Sequence, residues 1–279
     1  MNQSRLYIQS LATGLSVLRA FDYRHPSMSL PEIAEAVSIT KSAAQRISFT
    51  LLKLGLLKKD EKTKRYSLAP SVLDTTCHYL ESHPLVDRAN AVLLELNRET
   101  GETVNLAEPS GLDMIYVCRF PSPLRLLVHM PIGRRIPMFC SSSGRIWLAS
   151  QSPEVVRQVL SSSALIKYTD HTVTDMEALI AEIDQAQHRQ FACCVNEYYP
   201  GDLALAVPVY GENSVVASLQ LSVPSAKWTA QNAIEHFVPK LQASASLMRR
   251  TSPDPFRGSR KDPEANRPWD QQAAPFGTD

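Results

Sequence analysis

The sequence predicts an α+β protein built from two modules joined by a helix, and three observations carry that expectation. Residues 1–70 hold 11 Lys or Arg against 5 Asp or Glu, a net +6, whereas residues 71–250 hold 14 against 18, a net −4. A basic module beside a mildly acidic one points to a polyanionic partner for the first. The first 70 residues also carry apolar side chains at helical spacing and close on a charged hairpin. Beyond them, strand-like and helix-like runs follow without regular βαβ alternation, which favours a largely antiparallel sheet with helices packed on it. A length of 279 residues, 44% hydrophobic and 20% charged, suits two domains of about 100–150 residues each.

In the first module (1–70), SLATGLSVLRAFDY (10–23) reads as an amphipathic helix through Leu11, Leu15, Leu18 and Phe21. HPSMS ends it. Ser29 caps a short helix, LPEIAEAV, with Pro31 in its first turn and Glu32 three residues after the cap. Ser38-Ile39 makes a tight connection, and Thr40 caps the helix Lys41–Leu54, which Gly55 ends in a left-handed conformation. Ala44, Ile47, Leu51 and Leu54 form its buried stripe; Ser42, Gln45, Arg46, Phe49 and Lys53 fall on the opposite side. Strands Leu56–Lys59 and Arg65–Leu68 flank a charged turn at Asp60–Lys64.

This order is that of a winged helix-turn-helix, and double-stranded DNA is the partner it implies. Lys41, Ser42, Gln45 and Arg46 are the candidates for the groove, since Gln pairs two-pronged with adenine and Arg with guanine. Lys62, Lys64 and Arg65 on the hairpin are the candidates for phosphates. Phe49 is expected to pack under the wing or against the first helix. The plainer alternative is a small helical bundle with a solvated face.

A linker helix over 71–82 is broken by His83-Pro84, and helical spacing resumes over 85–101 up to Gly101. Strands are expected at ETVNLAEP, LDMIYVCRF and LRLLVHM, and IGRRIPM reads as a loop feeding a helix near Ser141–Gly144. Helices PEVVRQVLS and DMEALIAEIDQAQHRQ, strands FACCVN, LALAVPVY and SVVASLQLSVP, and a last helix around 229–250 complete a second domain over 83–250. Residues 251–279 hold five prolines and no amphipathic period, and disorder is expected there.

Several function classes are disfavoured. MNQSRLYIQS has no signal-peptide pattern, and LALAVPVY, the longest apolar run, is far short of the roughly 20 residues of a membrane span. Cysteines 77, 118, 140, 193 and 194 show neither metal-ligand spacing nor a disulfide framework, so a reducing, cytoplasmic setting is expected. The histidines contain no i, i+4 pair, so no metal site is expected, and no cofactor is expected either. CSSSGR lacks a Gly-x-Ser-x-Gly frame and a His/Asp partner order, which argues against a serine hydrolase. A metabolite-binding adaptor that contacts another protein is the remaining rival.

Seven stretches occur in a specific order: SLPEIAEAVSITKSAAQR, LKLGLLKKD, RYSLAP, ETGETVNLA, IGRRIPM…SSGR…LA, YYPGDLALAVPV and SLQLSVP. Over about residues 5–250 the chain resembles the isocitrate-lyase-regulator (IclR) family of bacterial transcription factors. The resemblance implies operator binding as a homodimer. It also implies a GAF-like C-terminal domain that binds a small, often acidic or aromatic metabolite and helps assemble homotetramers. The implied effector site comprises Val128, Ser142, Ser143, Gly144, Cys194, Ala204, Gln220 and Ser222. Many members carry Asp at the position of Cys194, Cys at Ala204 and Ser at Gln220, so a different ligand is expected here. The hydroxyls and N–H groups of CSSSGR, expected to be exposed at a helix start, suit a carboxylate; alternatively one Ser merely caps the helix. Of the adjacent Cys193 and Cys194, strand alternation turns only one toward the site.

Overall fold

The computed structural model describes residues 6–123 and 130–249. They fall into two compact units, one running up to Tyr79 and the other starting at Leu80. Residues 251–279 and nearly all of the expected strand LRLLVHM, with Val128 and His129, lie outside the described residues.

The first unit contains α1 (Gln9–Arg19), α2 (Leu30–Val37), α3 (Lys41–Lys53), β1 (Leu57–Lys59) and β2 (Tyr66–Leu68). The expected extension of the first helix to Tyr23 is not made. Asp22 Oδ1 accepts from the backbone N–H of Arg24 at 2.9 Å and His25 at 2.7 Å, reversing the chain in a side-chain-stabilised turn. The buried face of α1 differs too: Val17 is fully buried, while Leu11 and Leu15 are exposed. At α2, Glu32 Oε2 accepts from Ser29 N at 2.7 Å, completing a capping box, and Ser38 ends the helix at φ 56°. Thr40 Oγ1 accepts from Ala43 N at 3.2 Å and starts α3. Gly55, at φ 72°, turns the chain from α3 into the hairpin.

The core of this unit gathers Val17, Phe21, Met28, Ile33, Ala44, Leu51, Leu57 and Tyr66. The stripe that α3 buries is Ala44, Ser48 and Leu51; Leu54 is exposed and Ile47 only partly covered, so the helix is rotated from the expected register. The wing strands pair antiparallel with Leu57 opposite Leu68, and Met28 bridges to Tyr66 as a third edge.

Along the chain α4 (Val72–Ser82) follows, and then α5 (Pro84–Thr100), capped at its end by Gly101 at φ 68°. The second unit is built on β3 (Thr103–Ser110), β4 (Asp113–Phe120), β5 (Arg135–Pro137), β6 (Ala192–Val195), β7 (Asp202–Tyr210) and β8 (Val215–Pro224). They form one sheet in the order β5-β4-β3-β8-β7-β6, antiparallel throughout. β5 was expected to be loop; three residues at a sheet edge are too few to display a period of two.

Helices α5 and α9 (Ala230–Met248) cover one sheet face, where Leu93, Leu96, Leu205, Leu219, Phe237 and Leu241 interlock. Helices α6 (Ser142–Leu148), α7 (Pro153–Ser162) and α8 (Met176–Arg189) cover the other, around Tyr116, Met138, Phe139, Ile146 and Ile183. β7 is therefore buried from Leu203 to Val209 on both sides, which explains its unbroken apolar sequence.

Candidate functional site

The core stripe of α3 fixes what its other side presents. Lys41, Ser42, Gln45 and Arg46 all lie exposed. Phe49 does not pack under the wing or on α1: it is 57% exposed, with Lys53 Nζ 5.7 Å from its ring centroid. Inward turning is blocked because its neighbour Ser48 occupies the core side. At the wing tip, Asp60 Oδ1 accepts from Lys62 N at 3.0 Å and Thr63 N at 2.6 Å, which shapes the turn. Lys62 is exposed, and Lys64, at φ 56°, reaches Glu61 at 3.0 Å.

Arg65, a candidate for phosphates, is tied into its own unit. Its guanidinium donates to Ser27 O at 2.8 Å and pairs with Glu32 at 2.9 Å, bracing the wing against the start of α2. The Ser29 N–H and hydroxyl, with Arg65 behind them, lower the Glu32 carboxyl to about 2. That carboxylate is thus charged at any working pH, and Arg65 is held by it.

In the second unit a small cavity of about 20 Å³ is lined by residues of β4, β5, α6, β6, β7, β8 and the segment between β6 and β7. Ser142, Cys194, Ala204 and Gln220 line it together, alongside Tyr116, Cys140, Glu197, Tyr198, Tyr199 and Asp202. As it stands it has room for about one water molecule.

The serine hydroxyls, expected to be exposed, are buried: Ser142 and Ser143 are 0% and 1% accessible. Ser141 Oγ is the helix cap, accepting from Gly144 N at 3.2 Å and donating to Pro137 O at 2.7 Å. Ser143 Oγ donates to Gln220 Oε1 at 3.2 Å. Ser142 Oγ, at the cavity, finds no partner among the described residues.

Gly144 serves packing rather than the cavity. A Cβ there would come within 2.2 Å of Met138 Cα, so only glycine lets α6 press on that backbone. Ser222, half-buried, is directly opposite Ala204 and shares its sheet face, but it is not among the cavity's lining residues.

Gln220 is the hub of this site. Its Oε1 accepts from Tyr116 OH at 2.7 Å, Ser143 Oγ at 3.2 Å and Asn105 Nδ2 at 3.4 Å. Asn105 Oδ1 in turn accepts from Arg119 at 2.6 Å. With the carbonyl saturated, the amide NH₂ is what Gln220 can offer a ligand. Burial pushes the Tyr116 hydroxyl and the Cys194 thiol up, and Cys140 up to about 12, so all three act as neutral groups.

Sequence reasoning missed a buried ion pair at the cavity wall, to which Glu197 belongs. Arg145 Nη1 and Nη2 meet Glu197 Oε1 and Oε2 at 2.7 and 2.6 Å, and Arg145 Nε donates to Phe139 O at 3.1 Å. The glutamate also receives Val173 N at 3.2 Å. The arginine within SSGR was visible as part of a motif, but its partner lies 52 positions away, in the segment before β7. Among the described residues no cluster of three or more His, Cys, Asp or Glu is placed to hold a metal ion. Nor is any helix there long and apolar enough to cross a membrane.

Comparison with known proteins agrees with this geometry. The IclR helix-turn-helix domain matches residues 10–61, and the bacterial transcriptional regulator IclR C-terminal domain matches residues 77–250. The Pca regulon regulatory protein of Pseudomonas putida is 33% identical over 241 residues, covering 86% of this chain and 82% of that one. The p-hydroxybenzoate hydroxylase transcriptional activator of Acinetobacter baylyi is 28% identical over 249 residues, covering 87% and 91%. A putative transcriptional regulator from Rhodococcus sp. RHA1 superposes with a TM-score of 0.75 at 29% identity, covering 87% of this chain and 97% of that one. The chain belongs to the IclR family: it is a DNA-binding transcriptional regulator, not an enzyme.

Proposed function

We propose that α3 enters the major groove of an operator with Ser42, Gln45 and Arg46 toward base edges and Lys41 near a phosphate. Lys62 and Lys64 follow the phosphates from the wing. All six side chains are exposed, in a module whose residues 1–70 carry a net +6, and that supports this reading. Arg46→Ala should weaken operator binding by about 1–3 kcal/mol without altering thermal stability. Unchanged affinity and base preference would remove Arg46 from the recognition set.

The effector is proposed to be a small aromatic acid bound at the Gln220 site. The observation that carries this is the buried, partnerless Ser142 hydroxyl in a cavity walled by Tyr116, Tyr198 and Tyr199. The relative named for p-hydroxybenzoate hydroxylase is in keeping with it. Ser142 and the Gln220 amide would donate to the carboxylate, and the tyrosines would flank the ring. Because the cavity now holds about one water, such a ligand needs an opened state. Selective binding to that state would shift operator affinity, typically 5–150-fold. Calorimetry of the full chain with benzoate and 4-hydroxybenzoate tests this: binding should be weakened in Ser142→Ala and lost in Gln220→Leu. Full affinity in both variants would place the effector elsewhere.

A homodimer or homotetramer is proposed as the working form, acting in the cytoplasm. It is supported by a groove of about 790 Å³ between α1 and α3, lined by Leu11, Leu15, Leu18, Ile47 and Leu54. α4 also exposes Leu73 and Tyr79. Sedimentation should find no stable monomer at micromolar concentration.

A further inference from the structure

Phe49 is the one large apolar side chain that α3 presents on its cationic face among the described residues. Ala44, Ser48 and Leu51 anchor the opposite side in the core, so α3 cannot rotate to cover the ring. Lys53 lies over it, while Gln45 and Arg46 stand one turn before it on the same side. From Gln45 to Phe49 the helix rises about 6 Å. That is about two base steps of a duplex, within the reach of a helix lying in one major groove.

We propose that Phe49 is a sequence-reading residue, whose ring takes the C5-methyl group of a thymine about two base steps from the pair met by Gln45. The proposal rests on the reading that this face of α3 enters the groove. Ser42, Gln45 and Arg46 can offer only hydrogen bonds to base edges. The thymine methyl is the sole apolar feature on those edges, and an aromatic ring is among the side chains that contact it. Removing both the ring and the methyl from water gives Phe49 a reason to be exposed in the unbound chain. Lys53, over the ring, would bring a positive charge toward the backbone beside that thymine.

The test uses the full chain and a duplex that it selects from a random-sequence library. Each thymine is replaced in turn by deoxyuridine, which removes the C5-methyl and leaves the base-pairing edge intact. At one position, or a symmetric pair, wild type should bind the uracil duplex about fourfold more weakly, the worth of one buried methyl. Phe49→Ala should bind thymine and uracil duplexes equally, and Phe49→Leu should retain part of the difference. Indifference of wild type to uracil at every position would overturn the proposal, as would a penalty that persists in Phe49→Ala. Arg46→Ala, measured in the same series, separates the two levels. If it weakens specific binding while the uracil pattern fails, only the role of Phe49 falls. If it too has no effect, the placement of α3 in the groove falls with it.

Discussion

Glu197→Gln is the perturbation that most directly probes the effector-binding unit. The carboxylate now clamps Arg145 with two short bonds, and the two side chains are 2% and 7% accessible. A glutamine of the same shape can accept one guanidinium N–H through its carbonyl. Its NH₂, however, faces the other N–H, donor to donor. The guanidinium is then buried without its counter-charge, a change that typically costs 3–5 kcal/mol. Glu182, 3.8 Å from Arg145 Nη1 and half exposed, offers partial compensation. The expected loss is therefore about 3 kcal/mol, at the low end of that range. For a unit of this size it lowers the melting temperature by about 6–12 °C. Urea unfolding followed by tryptophan emission measures it, since Trp147 lies in α6 two residues from Arg145. The double variant Arg145→Met/Glu197→Leu should recover most of the loss, because the uncompensated charge is gone. A loss below about 1 kcal/mol for Glu197→Gln, or no recovery in the double variant, would refute the reasoning.

Lys62→Ala with Lys64→Ala should weaken specific and random DNA alike and reduce the salt slope of binding by about one unit per lost phosphate contact. An unchanged slope with loss at the specific site alone would mean that the wing reads bases. Gly144→Ala should destabilise the effector-binding unit by about 1–3 kcal/mol or more, because the added methyl meets Met138 backbone; a melting curve like wild type would refute this. In the native chain at pH 8, iodoacetamide should label Cys77 alone. It is exposed, whereas burial raises Cys118 and Cys193 to about 11 and Cys140 to about 12, and Cys194 well above its ordinary value. Rapid labelling at a second site by mass spectrometry would contradict it.

What could be read from the chain were features set by neighbours in sequence. Ser29 and Glu32, Thr40 and Ala43, and the turns at Gly55 and Gly101 each join residues a few positions apart, so composition and spacing suffice. The same holds for the order of elements and the wing, whereas Ser142 and Cys194, 52 positions apart, were placed at one site by the family resemblance and not by spacing. Rotation about a helix axis is a different matter. Whether Ile47 or Ser48 turns inward on α3, and whether Leu11 or Val17 does on α1, depends on what the rest of the unit packs against them. The same physical cause ties Arg65 into the unit. Ser27 and Glu32, 38 and 33 positions distant, come within reach only once the hairpin folds back.

By itself, then, the sequence determined the family, the two-module α+β plan and the basic balance of the first module, because local propensity and charge are written residue by residue. Only the tertiary structure decided which polar groups share an environment. It joined Arg145 to Glu197 across 52 positions and gathered Tyr116, Ser143 and Asn105 on Gln220. It buried the Ser142 hydroxyl with no hydrogen-bond partner among the described residues and left Phe49 in the open. Desolvation and hydrogen-bond pairing depend on distance in space, which sheet order and helix docking set and spacing along the chain does not.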